Sequence, residues 1–490
     1  MRYRDFLRQR YSAVLGYTGL ISLLISLSIF VPLVVLLAYP EERGLAWGFW
    51  IPAVILALVG LLLWRQLLPQ EATSLTLQEG AIIVVLSWLL AIAFSTIPFM
   101  AVGGLNFTQA VFESTSGWTT TGLSVVEVEQ TSHLVLLFRS VTQLVGGAGF
   151  AIIALSAITG PSGTGLTTAE GRSEQLVPNV GRSAKLVFRI YSGYVATGIL
   201  ALRMVGMDWF DAINHSFTTL STGGFSTHAN SVGYWDSPVI EAVIIGLMLC
   251  GGLNYLTSYL ILTGKFKAVM RNGEVRLQGL LILLGALILF LSVATGLYST
   301  LGKAARVSVF ETITALSTTG YATVSYLNWK SLGWLVLILL MMIGGGTGST
   351  AGGIKLNRIY VLYRGVRWEI RRLLLPRNAV TEPNIWQGDR RRFLDDRQIR
   401  QVSLFVFLYL FVYVIGSGII AAYGYSLPES LFEYASALST VGLSVGVTTA
   451  DAPTGLLWCE IIGMFLGRLE FFTVIVGIIQ ILKDAIALWA

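Results

Sequence analysis

The sequence contains few of the residues that build catalytic and metal sites. Of its 490 residues, two are cysteine, three are histidine and 12% are charged. Cys250 and Cys459 lie in apolar segments and give neither a disulfide framework nor a metal-ligand spacing. One hypothesis for an apolar chain is an intramembrane enzyme. Such an enzyme would need a cluster of acid, base, nucleophile or metal ligands, and no such cluster is visible in the sequence. We therefore expect no enzymatic activity and no organic or covalent cofactor.

Apolar residues, by contrast, make up 54% of the chain. They form long runs, many of about 20 residues, the length that spans a bilayer as a helix. The first run, 14–39, is longer than the apolar core of a signal peptide and is predicted to be a retained helix. The net charge of +6 fits membrane topology and requires no nucleic-acid partner. Ten spanning segments are predicted, at 13–39, 46–68, 79–101, 133–158, 184–206, 237–264, 276–300, 331–363, 400–424 and 454–488.

One short pattern occurs four times. In each copy a two-residue start is followed by a hydroxyl-rich stretch, and a glycine lies ten residues after the first residue of the start. Three copies start with Phe-Glu, at Phe112, Phe310 and Phe432, and the second copy starts with Asn214-His215. Four copies of one loop in a membrane chain indicate four walls around one pore. The aligned glycines are Gly122, Gly224, Gly320 and Gly442.

Each loop falls between two predicted spanning helices. The predicted fold is therefore an all-α polytopic membrane protein with two N-terminal transmembrane helices and four pseudo-fourfold helix–pore-loop–helix repeats around a central pore. The predicted boundaries are 1–70 for the N-terminal helix pair, 71–165 for pore repeat one, 166–270 for repeat two, 271–363 for repeat three with a broken second helix, 364–399 for a cytoplasmic Arg-rich linker and 400–490 for repeat four.

The basic residues support this topology. Lysine and arginine are concentrated before the first helix, between the repeats and in 355–400. If Arg2 is cytoplasmic, alternation of the helices places all of these segments in the cytoplasm and all four loops on the opposite side, which is the positive-inside arrangement. Both termini are therefore predicted to be cytoplasmic.

The loops carry the atoms that a dehydrated cation needs. A half-helix entering the membrane must satisfy its backbone in protein or water, and rings of carbonyl oxygens can replace a hydration shell. Glycine permits the backbone turns that align successive carbonyls, and Thr and Ser add hydroxyl oxygens. One such turn alone is typical of a helix C-cap, but four in matching places favour a cation-selectivity filter. The predicted filter residues are Thr120, Thr121, Gly122, Leu123, Thr222, Gly223, Gly224, Phe225, Thr318, Thr319, Gly320, Tyr321, Thr440, Val441, Gly442 and Leu443.

Three carboxylates accompany the loops. Glu113, Glu311 and Glu433 are predicted at the starts of the half-helices, where the helix dipole favours a negative charge. An outer cation-attracting ring is the alternative, and His215 interrupts it in the second copy. The half-helices would direct their negative C-terminal ends toward the pore, which also favours a cation there.

The second helix of repeat three contains a glycine-rich segment. Glycine inside a helix costs about 1 kcal/mol relative to alanine, so the run at 344–353 predicts a broken helix whose loop gates the pore just inside the filter. Close packing through small residues is the alternative, and it suffices for Gly146-Gly147, Gly251-Gly252 and Gly463/Gly467. The predicted gate residues are Gly344, Gly345, Gly346, Thr347, Gly348, Ser349, Thr350, Ala351, Gly352, Gly353 and Arg468.

Arg468 lies in the middle of the last predicted helix, where a charge is costly and usually faces a cavity or a partner. An internal ion pair with Glu460 or Glu470 and a fixed positive charge below the filter both fit the sequence, and they are not exclusive. Arg139 and Arg189 raise the same question, and the sequence shows no partner for either.

These features resemble the TrkH family, the membrane subunits of bacterial Trk potassium-uptake systems, in a superfamily with Ktr subunits and plant HKT transporters. The resemblance rests on the four repeats, one filter glycine in each, the extra N-terminal helix pair and the segment Gly-Gly-Gly-Thr-Gly-Ser-Thr-Ala-Gly-Gly-Ile-Lys at 344–355. It implies potassium uptake across the bacterial inner membrane, with K⁺ as the transported ion. Related sodium-carrying transporters have serine at the first filter glycine, so Gly122 favours potassium.

The resemblance also implies partners. It implies a homodimer with one pore per protomer and a cytosolic TrkA-type RCK ring that binds ATP, ADP or NADH. The Arg-rich segment 364–400 is too polar to span the membrane. It is either a solvated linker that contacts anionic membrane lipid or a docking surface for that ring. A proton- or sodium-coupled potassium symporter on the same scaffold is the alternative to a channel-like pore.

Overall fold

The structure is a computed structural model that describes residues 3–68, 75–149, 180–298, 300–376, 382–387 and 390–489. Within these ranges the chain is mostly helical, with one two-stranded hairpin. Six of the described helices are long and apolar enough to cross a membrane, and two helix pairs bent at a break bring the number to eight. The predicted all-α membrane class is confirmed. Residues 150–158 of a predicted spanning segment, and the predicted boundary at 165–166, lie outside the described residues.

Two helices precede the repeats. They are α1 (Tyr3–Phe30), continued by a 3-10 segment (Val31–Leu37), and α2 (Trp47–Leu67). They pack closely, since a Cβ on Gly60 would lie 2.7 Å from the carbonyl oxygen of Gly19. The guanidinium of Arg10 lies 3.3 Å from the carboxylate of Asp484, near the C-terminus. The N-terminal and C-terminal helices therefore reach the same face of the protein.

Four units follow, each with a first helix, a half-helix and a second helix. Unit one contains α3 (Leu77–Ala101), α4 (Phe107–Trp118) and α5 (His133–Ala148). Unit two contains α6 (Val180–Met204), α7 (Trp209–Leu220), α8 (Pro238–Gly252), α9 (Tyr255–Leu262) and the short α10 (Phe266–Arg271). Unit three contains α11 (Gly273–Leu289), α12 (Leu301–Leu316), α13 (Ser331–Ile343) and α14 (Leu356–Leu374). Unit four contains α15 (Asp396–Ala422), α16 (Leu427–Leu438), α17 (Thr454–Leu469) and α18 (Phe471–Trp489).

The half-helices α4, α7, α12 and α16 form a closed cycle. Each contacts the first and second helices of its own unit, and each also contacts the second helix of the preceding unit. The contacts between units are α5 with α7, α8 with α12, α13 with α16, and α17 with α4, which closes the cycle. The aromatic residues that start three of the repeats, Phe112, Phe310 and Phe432, are fully buried and fix their half-helices in the core.

Two second helices predicted as continuous are broken. The predictions of single helices over 237–264 and 454–488 are wrong, because α8 and α9 meet at 115° and α17 and α18 meet at 102°. In unit two, Leu253 is extended and the side chain of Asn254 caps α9. In unit four, Glu470 has a φ of 60°, which ends α17. Only the break in unit three, between α13 and α14, was predicted from its glycine content.

The paired glycines of the second helices lie against the half-helices. A Cβ on Gly251 would lie 2.8 Å from the carbonyl oxygen of Leu220, the last residue of α7. A Cβ on Gly467 would overlap the last carbonyl of α16, and one on Gly146 would overlap the last carbonyl of α4. These glycines let the second helix approach the C-terminus of each half-helix, in keeping with the packing interpretation.

The Arg-rich segment begins inside a helix. Helix α14 continues past 363 to Leu374, and strands β1 (Asn384–Gln387) and β2 (Arg390–Phe393) then form an antiparallel hairpin. Ile385 and Leu394 are buried against Val361 of α14. The basic segment is therefore anchored to the end of unit three by an apolar contact.

Candidate functional site

The four Thr-Gly loops share one backbone conformation. Two residues before each aligned glycine, a threonine has a positive φ, which is uncommon for a residue other than glycine. The values are 56° at Thr120, 53° at Thr222, 56° at Thr318 and 51° at Thr440. The glycines follow at 95° for Gly122, 74° for Gly224, 83° for Gly320 and 100° for Gly442. Four strained threonines at one repeat position indicate a conformation that the surrounding structure imposes.

The four loops also meet in a closed ring. A Cβ on Gly122 would overlap the carbonyl oxygen of Gly223, the residue before the next aligned glycine. The same overlap occurs between Gly224 and the carbonyl of Thr319, between Gly320 and that of Val441, and between Gly442 and that of Thr121. The fourth contact returns to unit one, so any side chain at these positions would displace a neighbouring carbonyl. We call the four aligned glycines the glycine ring.

A cavity of about 670 Å³ is lined by all four glycines of the ring. Ser124 and Ser226 line the same cavity, and Glu127 and Glu129 contribute carboxylates to its wall. A solute in this cavity therefore has access to all four Thr-Gly loops at once.

The repeated carboxylates do not lie at the starts of the half-helices, so that prediction is wrong. Glu113, Glu311 and Glu433 lie in the second half of α4, α12 and α16, and all three are fully buried. The helix starts are occupied by capping side chains, which accept from the backbone N–H three residues later. These caps are Asn106, Asp208, Thr300 and Ser426.

The carboxylates instead form hydrogen bonds with the segment that follows each aligned glycine. Each accepts hydrogen bonds from residues 11 to 15 positions further along, so the segment after each aligned glycine is tied back to its half-helix. The bonds are Ser124 Oγ to Glu113 at 3.0 Å, Thr323 N to Glu311 at 2.9 Å, Ser444 Oγ to Glu433 at 2.6 Å and Thr448 N to Glu433 at 3.0 Å. The three carboxylates therefore brace the segments that follow the aligned glycines.

His215 ties the loop of unit two to its half-helix in a similar way. Its Nδ1 lies 2.9 Å from the carbonyl oxygen of Asp211, and its Nε2 lies 3.1 Å from Ser226 Oγ. A carbonyl can only accept, so Nδ1 carries a proton, and in the neutral form of the ring Nε2 accepts from the serine. The histidine therefore contacts the serine 11 residues further along, as Glu113 and Glu433 do in units one and four.

Arg139 has a partner that the sequence did not reveal. Its Nε donates to the Glu113 carboxylate at 2.7 Å, and one terminal nitrogen donates to the Ser226 carbonyl at 3.1 Å. Its guanidinium also lies 4.0 Å from the centre of the Phe225 ring. Arg139 therefore joins the loops of units one and two, whereas Arg189 lies on the exposed surface of α6.

Residues 344–355 form a non-helical segment between α13 and α14, which we call the glycine-rich loop. The N–H of Gly346 donates to the carbonyl of Gly252 at 2.9 Å, and the N–H of Thr347 donates to the Glu274 carboxylate at 2.7 Å. Protein groups therefore satisfy part of its backbone, as a non-helical segment at membrane depth requires.

The glycine-rich loop contacts the strained threonines of three units. The N–H of Gly352 donates to Thr318 Oγ1 at 2.7 Å, and Thr222 Oγ1 donates to Thr350 Oγ1 at 3.1 Å. A Cβ on Gly352 would overlap the hydroxyl of Thr440. A second cavity, of about 40 Å³, is lined by other residues of this loop and by Arg468. The loop therefore contacts the Thr-Gly loops of the ring and also lines this second cavity.

Arg468 connects the glycine-rich loop to unit one. One terminal nitrogen donates to the Thr350 carbonyl at 2.6 Å, and the other donates to the carbonyls of Gly146 at 2.8 Å and Gly147 at 3.3 Å. Together, Arg468 and the loop touch all four units beneath the ring.

The two carboxylates predicted as partners of Arg468 have other contacts. Both carboxylate oxygens of Glu470 lie 2.8 Å from a guanidinium nitrogen of Arg358. Glu460 accepts from Thr448 Oγ1 at 3.0 Å. The contacts of Arg468 with the loop and with unit one are made through carbonyl oxygens.

Residues 49–486 match the TrkH family, described as cation transport proteins. The chain belongs to the TrkH family. The Trk system potassium uptake protein TrkH of Escherichia coli K12 is 33% identical over 95% of this chain and 98% of its own length. An uncharacterized cation transporter of Methanocaldococcus jannaschii is 32% identical over 94% of each chain. The crystal structure of the potassium transporter TrkH from Vibrio parahaemolyticus superposes with a TM-score of 0.83 at 28% identity, covering 95% of this chain and 98% of that one.

The strained threonines of this TrkH-family chain differ in what their hydroxyls contact. Those of Thr222 and Thr318 bond to the glycine-rich loop. Those of Thr120 and Thr440 are buried and have no hydrogen-bond partner among the described residues. Buried hydroxyls without a partner are uncommon in folded proteins, so these two threonines differ from Thr222 and Thr318.

One polar residue of the TrkH-family site was missed from the sequence. Gln143 of α5 is fully buried and contacts the unit-two loop on both sides of Gly224. The available signal was a glutamine inside the predicted spanning segment 133–158, where a polar side chain needs a partner.

Proposed function

We propose that this chain is the potassium-translocating membrane subunit of a Trk-type uptake system, with a channel-like pore through the glycine ring. The observation that carries the proposal is the closed ring, in which each glycine abuts the carbonyl before the next unit's glycine. The relatives named as Trk potassium uptake proteins support K⁺ as the transported ion. The multi-pass helices support a membrane location, which we place in the bacterial inner membrane with both termini cytoplasmic.

We propose the four loops as the selectivity filter. Alternation between left-handed and right-handed conformations turns successive carbonyls toward one side, as in rings of carbonyls that replace the hydration shell of K⁺. The hydroxyls of Thr120 and Thr440 add oxygens without another partner in the described structure. The C-terminal ends of the half-helices carry partial negative charge toward the same place. The filter comprises 120–123, 222–225, 318–321 and 440–443.

We propose the glycine-rich loop and Arg468 as the gate. The loop contacts the threonines of units two, three and four, and Arg468 ties it to unit one. A positive charge at this depth also raises the energy of a cation that passes. In this arrangement the loop and Arg468 hold the inner end of the filter closed.

We propose a cytosolic nucleotide-binding RCK ring as the regulatory partner, responding to ATP, ADP or NADH. Helix α14 follows the glycine-rich loop directly, so a force on its far end is transmitted to the loop. The hairpin after α14 is anchored on Val361 and presents exposed Arg391. A basic surface continuous with the gate suits a regulatory contact. We also propose a homodimer with one pore in each protomer, on the basis of the family resemblance.

Replacing Arg391 and Arg392 with glutamate is expected to weaken binding of the RCK ring by about tenfold, because reversing two interface charges replaces attraction with repulsion. Binding of purified ring to the detergent-solubilised protein measures the effect. Arg43→Glu, at an exposed charge in the segment between α1 and α2, is the control and should bind like the parent. Equal binding by the double variant and the parent would remove the hairpin from the proposed interface.

The reconstituted protein is expected to pass K⁺ and Rb⁺ faster than Na⁺, and to do so down a voltage gradient alone. A channel-like pore needs no second ion, whereas the coupled symporter moves a proton or Na⁺ in fixed ratio with K⁺. Flux in proteoliposomes with imposed proton and voltage gradients, with and without the ring, separates the two. A proton current in fixed ratio to K⁺ flux would establish the symporter instead.

A further inference from the structure

The unit-two loop is supported by a side chain from another unit. Nε2 of Gln143, on α5 of unit one, donates to the Gly223 carbonyl at 2.7 Å. The N–H of Phe225 donates to Oε1 of the same amide at 3.1 Å. One primary amide therefore bonds to the backbone on both sides of Gly224, and the glutamine side chain has no exposed surface.

This contact explains the second glycine in the unit-two loop. The other units have a side chain at the position before the aligned glycine, namely Thr121, Thr319 and Val441. A Cβ on Gly223 would overlap the amide group of Gln143. The amide therefore occupies the space that the loop's own side chain fills in the other three units.

The source of support differs between the loops. Thr121 Oγ1 lies 2.7 Å from Thr119 Oγ1, and Thr319 Oγ1 lies 2.7 Å from Ser317 Oγ, so units one and three are braced by hydroxyl pairs within the loop. Unit two keeps the earlier hydroxyl, Ser221, but lacks the later one. Its brace comes from α5, which makes its loop geometry dependent on unit one.

The braced carbonyl belongs to the ring. The Gly223 oxygen is the one against which Gly122 packs, so it lies at the junction of units one and two. The Gln143 N–H donor, 2.7 Å away, fixes the position of this oxygen. The hydrogen bond also polarises the carbonyl and so changes how strongly its oxygen can interact with a cation. Spacing and field strength of such oxygens are what distinguish K⁺ from Na⁺.

We infer that Gln143 is a specificity-determining positioning residue, which sets the Gly223 carbonyl in the second quadrant of the filter and thereby the discrimination between K⁺ and Na⁺. The inference rests on the proposed filter function. Gln143 acts through Gly223 and Phe225, and the inference needs no direct contact between the amide and the ion.

A double-variant cycle tests this. Gln143→Ala is expected to lower the K⁺/Na⁺ permeability ratio about tenfold, which corresponds to about 1.4 kcal/mol. Gly223→Thr alone is expected to reduce K⁺ flux severely, because its Cβ overlaps the amide. The double variant Gln143→Ala/Gly223→Thr recreates the hydroxyl pair of units one and three, with Ser221 as its partner. It is expected to recover most of the ratio and of the flux.

The permeability ratio does not depend on how much protein folds, so it separates positioning from stability. Gln143→Met, which keeps the size but not the hydrogen bonds, should lower the ratio like Gln143→Ala, and Gln480→Ala on α18 should not. The inference would be overturned if both Gln143 variants had the same K⁺/Na⁺ permeability ratio as the parent. It would also be overturned if the double variant recovered neither the ratio nor the K⁺ flux relative to Gly223→Thr. If Gly122→Ser shifts the ratio while the Gln143 variants do not, only this inference fails. If none of them shifts it, the proposed filter fails as well.

Discussion

Serine in place of Gly122 is expected to lower the K⁺/Na⁺ permeability ratio by about tenfold or more, the equivalent of about 1.4 kcal/mol of lost discrimination. Two effects combine. The φ of 95° at this glycine costs an L-residue about 1–2 kcal/mol, and the new Cβ overlaps the carbonyl of Gly223. Because that oxygen is backbone and braced by Gln143, the loop must shift, and the filter spacing shifts with it. Flux of K⁺, Rb⁺ and Na⁺ in proteoliposomes measures the ratio.

The chain supplies a matched control for the backbone strain. Gly424 has a φ of 98°, close to that of Gly122, but a Cβ there would meet nothing within 4 Å. Gly424→Ser is therefore expected to lower thermal stability slightly and to leave the permeability ratio unchanged. Equal ratios for Gly122→Ser, Gly424→Ser and the parent would show that unit one does not contribute to selectivity.

The repeat and the position of its glycines could be predicted from the sequence because both depend on local chemistry. The positive φ and the close neighbouring carbonyl together favour glycine at Gly122 and its equivalents, and apolar runs of spanning length are visible without a structure. The glycine content of 344–353 likewise predicted a break between α13 and α14. Each of these signals lies within a short stretch of the chain.

The features that the sequence did not predict depend on contacts between distant residues. The bend at Glu470 has no glycine or proline at the bend itself. It lies three residues after Gly467, where α17 packs against the end of α16. The roles of Glu113 and Arg139 depend on each other and on the chain after the loop. Gln143 contacts a loop 80 residues away. The residue pattern within one helix does not predict which residue of another helix it will contact.

Removing the guanidinium of Arg468 is expected to raise K⁺ flux in the absence of the RCK ring by about tenfold. Arg468→Ala deletes hydrogen bonds to the carbonyls of Thr350, Gly146 and Gly147. Hydrogen bonds to a charged group contribute about 1.5–3 kcal/mol each, and a loss of about 1.4 kcal/mol from the closed arrangement raises the open population tenfold. Removal of the positive charge also lowers the barrier to a cation beneath the filter.

The two effects of Arg468 are separated by substitution chemistry. Arg468→Lys keeps the charge but loses the forked donors, whereas Arg468→Gln keeps a donor without the charge. If the loop contacts hold the gate, lysine should raise ring-independent flux nearly as much as alanine. If the charge dominates, glutamine should do so and lysine should not. Arg203→Ala, which also removes a guanidinium bonded to a carbonyl, at 3.0 Å from Met207, controls for general destabilisation. If all three Arg468 variants had the same ring-independent K⁺ flux as the parent, neither the hydrogen bonds nor the charge of Arg468 would restrain the passage of K⁺. The role of this arginine would then be structural only.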